Sequence, residues 1–239
     1  MRMELPKDQW FVKGLRGRGA QVLYLAFSFT GLSILVLLFL FGGGPQVFLP
    51  YQAQVTGTVF MAICLVGLIA SVSPGTLHGV GHGSSPSITL GHHPDCGRFN
   101  GHIIRFHGDA YCAGCTGLAL GASSSIVGSV LYFYMGVYPS GSEVIFWVGV
   151  IAVALGLIQH FIDLGSPYLH LFLNVSLVFG SFMLASSMNA AGASLFIEAY
   201  HLVLVVFWVA TRIRVSQEEH ILVCQACGVG CGQGYRVAN

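Results

Sequence analysis

The chain has 239 residues, of which 54% are apolar and only 8% charged, with a mean hydropathy of +0.75. A soluble domain carries about 25% charged residues, so this composition cannot cover a water-facing globule and excludes a soluble enzyme. The net charge of +1 leaves no basic footprint for nucleic acid.

The apolar residues fall in blocks, and a bilayer crossing needs about 20 of them in a row. Six blocks qualify in chain order: 20–41, 53–72, 112–138, 144–164, 168–188 and 193–210. Pro45, Pro50, Pro74, Pro139 and Pro167 lie at or between block ends, where helix breakers belong. The first block is too long for a signal peptide core. Phe41-Gly42-Gly43-Gly44-Pro45 is also no small-x-small cleavage site, so the block reads as a retained anchor. Gly117 with Gly121, and Ala152 with Gly156, are small-xxx-small pairs that let helix backbones approach.

Basic residues set the orientation. Arg2, Lys7, Lys13, Arg16 and Arg18 precede the first block, Arg98 and Arg105 lie between the second and third, and Arg212, Arg214 and Arg236 follow the sixth. With six spans, all ten Lys and Arg fall on one side. The expectation is a multi-pass protein of the cell membrane with both termini cytoplasmic. Its segments are a cytosolic 1–19, spans one and two in 20–72, a His/Cys-rich cytosolic loop 73–111, spans three to six in 112–210, and a cytosolic Cys-rich tail 211–239.

The 73–111 loop holds His78, His82, His92, His93, His102 and His107, six of the ten histidines, together with Cys96. Residues 103–106 and 110–112 read as a hairpin turning at Gly108. His93-x2-Cys96, then fifteen residues, then Cys112-x2-Cys115 is the spacing of a closed four-donor zinc site, because paired ligands two apart can bite one ion. His92 could stand in for His93. Gly114 is expected to give the second turn the backbone freedom of a knuckle.

The run His92-His93-Pro94-Asp95-Cys96-Gly97-Arg98, followed by Tyr111-Cys112-Ala113-Gly114-Cys115-Thr116-Gly117 at the head of a span, resembles a family of small polytopic prokaryotic membrane proteins known only as a domain of unknown function. The likeness covers about residues 91–121. Where that family usually has Arg between the paired cysteines, this chain has Gly114, and His92-His93 replaces the usual Cys-His opening. The resemblance implies a polytopic fold with this His/Cys motif, and no activity.

In the tail, Cys224-Gln225-Ala226-Cys227-Gly228 flanked by short apolar runs reads as a knuckle between two strands, with Cys231 close behind. Cys224, Cys227, Cys231 and His220 could form a second site. Alternatively, Cys224 and Cys227 could join Cys112 and Cys115 around one ion. A reducing cytoplasm disfavours disulfides. An iron–sulfur cluster is the alternative to zinc, although three tail cysteines fall short of the usual four. Cys64, in the middle of the second span, reads as a small apolar residue.

Ionisable groups at membrane depth are His160 and Asp163, with His170 across a short turn, and Glu198 with His201. The last two read as a mutual hydrogen bond, a proton-handling pair, or a contact with Asn174 or Asn189. A second Glu-x-x-His is absent, which removes a di-iron site. So are the Gly-x-Ser-x-Gly elbow, His-Glu-x-x-His and the phosphate-binding loop.

The sequence therefore predicts an all-α membrane protein, a six-transmembrane-helix bundle with a small cytosolic zinc-ribbon-like His/Cys subdomain. Its expected role is that of a scaffold or accessory subunit lodged in the lipid bilayer and docking another membrane or cytosolic protein. The alternatives are a hydrolase-type metalloenzyme using His160, Asp163 and His170 with His78 and His82, an iron–sulfur redox protein, and a transporter relaying through Glu198 and His201.

Overall fold

In the computed structural model, backbone is described for residues 7–42, 51–72, 103–107, 109–138, 140–159 and 166–227, and side chains for 19, 21–42, 51–72, 103–107, 111–138, 140–159 and 166–215. The elements are α1 (Lys7–Phe41), α2 (Gln52–Val72), β1 (Ile103–Phe106), β2 (Asp109–Cys112), α3 (Ala113–Ser129) running on into a π-helical turn (Val130–Tyr134), α4 (Ser142–Ile158), α5 (Pro167–Ala190) and α6 (Leu195–Cys227).

Among the described residues, five helices are long and apolar enough to cross a membrane: the stretches Gln21–Phe41, Gln52–Val72, Ala113–Tyr134, Pro167–Ala190 and Leu195–Val215. This fits a multi-pass membrane protein. The sixth apolar helix, α4, has 17 residues. At about 1.5 Å per residue it reaches about 26 Å, short of a hydrocarbon core about 30 Å thick. The sequence block that predicted this span runs on through 160–164, outside the described residues.

Neighbouring elements alternate in direction. Thr56 near the start of α2 meets Glu198 near the start of α6, and Gly57 meets Phe133 at the end of α3. One end of the bundle therefore gathers the start of α2, the end of α3, the end of α5 and the start of α6. The other end carries the hairpin.

Helix α5 is the most buried span, and both small-residue pairs dock on it. A methyl group on Gly117 would sit 2.5 Å from the Leu171 carbonyl oxygen, and one on Gly156 would sit 2.7 Å from Leu177 Cβ. No side chain fits at either crossing, so the backbones touch as the spacing predicts. Apolar packing around Leu35, Phe60, Phe146, Val153, Leu177 and Trp208 fills the centre. Cys64 is part of that core, as expected of a small apolar residue.

The hairpin is antiparallel, with Ile103 opposite Cys112 and Phe106 opposite Asp109. His107 takes the left-handed conformation, φ 52°, that a two-residue hairpin loop requires.

Three local expectations change. First, the second cysteine pair does not lie on a ribbon turn: Cys112 ends β2 and caps α3, and Cys115 falls in the first helical turn. The zinc-ribbon-like subdomain expected from the loop and tail lies largely outside the described residues, and residues 103–115 supply a hairpin followed by a helix. Second, Gly114 is helical, so its freedom at positive φ is unused. Third, no knuckle between strands forms at Cys224. Helix α6 continues unbroken through 211–227 and stops at Cys227. Residues 211–227 contain neither Gly nor Pro. An established helix propagates at little cost through such a stretch, and Gly228 is the first breaker after it.

Candidate functional site

Two polar clusters interrupt the apolar interior, one at each end. The hairpin-end cluster grows from the strand-to-helix junction. Pairing of β1 with β2 delivers Cys112 to the head of α3, and one helical turn places Cys115 beside it. Neither is in a disulfide, and the two thiols hydrogen-bond to each other. Cys112 is buried and Cys115 half-buried.

Arg212, on α6, crosses this turn, close enough for its charge to act on Cys115. A methyl on Gly114 would lie 2.5 Å from Arg212 Nη2. Gly114 thus serves as a gap for a guanidinium, not as a flexible joint.

Arg212 is held in turn. Its Nε donates to Asn174 Oδ1 at 2.6 Å. Asn174 Nδ2 donates to Gln159 Oε1 at 3.1 Å and to the His170 carbonyl at 2.6 Å. Asn174 is fully buried, and this one amide ties α4, α5 and α6 together beneath the cysteines. Buried polar groups need such partners, because an unpaired one costs about 1–3 kcal/mol. Sequence reading missed this network. The signal available was a lone Asn in the first half of an apolar span, followed by an Arg just past another.

The far-end cluster centres on Glu198, which is fully buried. Thr56 donates to Glu198 Oε2 at 2.6 Å, and Asn189 Nδ2 donates to Oε1 at 2.9 Å. Tyr132 in turn donates to Asn189 Oδ1 at 3.4 Å. Gln52, one turn before Thr56, donates to the Ala193 carbonyl at 3.0 Å. Of the contacts expected for Glu198, the one with Asn189 forms. The mutual bond with His201 does not: both ring nitrogens of His201 are buried without a hydrogen-bond partner among the described residues. Its ring meets Trp208 edge-on, with centroids 6.3 Å apart.

Of the expected zinc donors, Cys112 and Cys115 come together. His93, Cys96 and Cys231 lie outside the described residues, as do His78, His82, His92, His102, His160 and Asp163. His220, Cys224 and Cys227 belong to α6, where steps of four and three residues put their backbone positions on one side. Among the described residues, no group of three or more His, Cys, Asp or Glu stands close enough to hold a metal.

Comparison with family models, with curated proteins and with solved structures gives no match.

Proposed function

We propose that this chain is a cell-membrane protein with both termini in the cytoplasm, whose hairpin end carries a structural zinc centre and docks a partner as a scaffold or accessory subunit. The donors are Cys112 and Cys115 with His93 and Cys96. The tail residues Cys224, Cys227, Cys231 and His220 supply either a second site or alternative partners for the first pair. The likeness to the family with Cys-x-x-Cys-Thr-Gly at the head of a span belongs to the same proposal.

The observation that carries it is the side-by-side placement of Cys112 and Cys115, with no disulfide between them, at a strand-to-helix junction. Two thiols in contact there can bite one ion without backbone rearrangement. Arg212 supports the reading, because a thiolate-rich zinc centre bears negative charge and the guanidinium offsets it at the edge of the bundle. A closed site of this kind holds chain in shape and leaves no position for substrate. The adjoining hairpin presents Arg105, Phe106 and His107 outward, and Phe106 is 63% exposed. An exposed aromatic beside a cation at a rigid tip is the composition of a docking anchor.

Elemental analysis of detergent-purified protein tests the centre. The expected result is stoichiometric zinc that is lost in Cys112→Ser/Cys115→Ser, while the helical content of the bundle persists. Iron in place of zinc, or a full zinc complement in the double variant, overturns it.

A further inference from the structure

We infer that Glu198 and His201 form a proton-carrying pair inside the bundle, the entry of a proton path that follows the buried face of α6 toward the hairpin end.

Three independent features converge on this pair. The first is placement. Glu198 and His201 are fully buried and three residues apart, on one face of α6. That spacing puts the imidazole one helical turn from the carboxyl, whose two oxygens are bonded to Thr56 and Asn189. The second is the lack of a hydrogen-bond partner for His201 among the described residues. A buried imidazole with both nitrogens unsatisfied has no structural justification, because an apolar ring would fill the same space without loss. Ionisable groups at membrane depth that are not spent on structure mark pathways.

The third is the π turn. Met135 N–H reaches back five residues to the Val130 carbonyl at 3.1 Å, which widens the end of α3. Consecutive Tyr132 and Phe133 are then both buried, Tyr132 on Asn189 and Phe133 against Gly57. Such turns are frequent at functional sites. Here the turn completes the ring of neutral groups around Glu198.

Among the described residues, the surroundings contain no countercharge. Between 21 and 41, α1 carries Tyr24 as its sole titratable residue, and α2 carries Cys64. The end of α3 offers Tyr132 and Tyr134. The titratable residues of α5, Tyr168 and His170, lie at its hairpin end, and α4 carries Glu143, which is exposed. The groups touching Glu198 are the neutral Thr56 hydroxyl and Asn189 amide, which accommodate the carboxyl with or without its proton by rotating.

The transfer balances simply. A proton from water at the far end joins the Glu198 carboxylate and passes to a His201 ring nitrogen, regenerating the carboxylate. The imidazolium then releases it toward the hairpin end, and the membrane voltage or pH gradient drives the net movement. Beyond His201, the buried face continues with Trp208 and Arg212. The Trp208 indole N–H is buried without a partner among the described residues. The Trp208 side of the bundle borders a cavity of about 10 Å³ that Cys64 and Ser181 also line, room for about one water. Arg212 and Asn174 follow at the hairpin end.

The test is proton flux into liposomes holding the full chain and a trapped pH dye, driven by a potassium diffusion potential. The wild type is expected to acidify the lumen faster than protein-free liposomes, and Glu198→Gln to fall to the protein-free rate. His201→Phe removes no hydrogen bond, so it is expected to fold like the wild type, checked by circular dichroism and gel filtration, and also to lose flux. That variant keeps the test decisive should Glu198→Gln misfold. A wild-type rate equal to that of empty liposomes, or His201→Phe as fast as the wild type, overturns the inference.

Discussion

At the hairpin end a half-buried Arg is bonded to a buried Asn that is itself paired with Gln159 and a backbone carbonyl, whereas at the far end a fully buried Glu has neutral partners and its neighbour His201 has no hydrogen-bond partner among the described residues. The two clusters use the same currency of amides and hydroxyls, yet they solve different problems. Asn174 spends its amide on holding three helices and a cation in one arrangement beneath the cysteine pair. Asn189 and Thr56 instead leave a carboxyl in place with no opposing charge. Such a fixed arrangement suits a junction that holds two thiols in contact, as the proposed metal centre requires. A carboxyl and an imidazole left electrically uncommitted suit a group that changes state.

Packing variants should break this contrast most severely. Gly117→Leu forces a side chain into the Leu171 carbonyl, 2.5 Å from where its Cβ must lie. Overpacking of this kind costs about 1–3 kcal/mol, and against backbone it should reach the upper end of that range. Loss of the folded bundle in thermal unfolding is the expected readout, since α3 cannot approach α5 otherwise.

Asn174→Leu comes next. It leaves Gln159 buried and strips Arg212 of its anchor, with an expected loss of about 2 kcal/mol in detergent unfolding. The same variant should weaken zinc retention in a chelator competition, because Arg212 is no longer held over Gly114 and Cys115. Unchanged stability would mean that the hairpin-end network is incidental.

Thr56→Val keeps the shape and removes one donor to Glu198. The expected loss is about 1 kcal/mol, checked by the unfolding midpoint. His201→Phe should be the smallest, within about 0.5 kcal/mol of the wild type, since no hydrogen bond is broken. A large destabilisation by His201→Phe would show that the imidazole is structural and would erase the difference between the two ends.

Five of the six expected spans were legible because bilayer thickness writes itself into sequence as block length, while the fourth block gives a helix of 17 residues; the helix-approach pairs Gly117/Gly121 and Ala152/Gly156 were legible because backbone contact demands small residues. The hairpin was legible from the alternation around Gly108. The tail misread in an instructive way. Cys-x-x-Cys-Gly is compatible with a knuckle or with two positions on one helix face, and the Gly- and Pro-free run before it let α6 propagate to Cys227. The junction at Cys112 was equally ambiguous, since spacing alone does not say whether two cysteines share a turn between strands or the first turn of a helix.

Composition and periodicity alone determined that this protein is a helical membrane bundle with a cysteine pair at the head of its third apolar block. These properties are local and depend on how many apolar residues run together. Which polar groups meet was decided only in three dimensions. Arg212 reaches Asn174 across 38 positions, and Thr56 reaches Glu198 across 142. No periodic signal encodes a pairing at that range. It emerges when helices packed through glycine bring those faces to the same depth, where a buried donor or acceptor must find whatever partner the neighbouring helix presents.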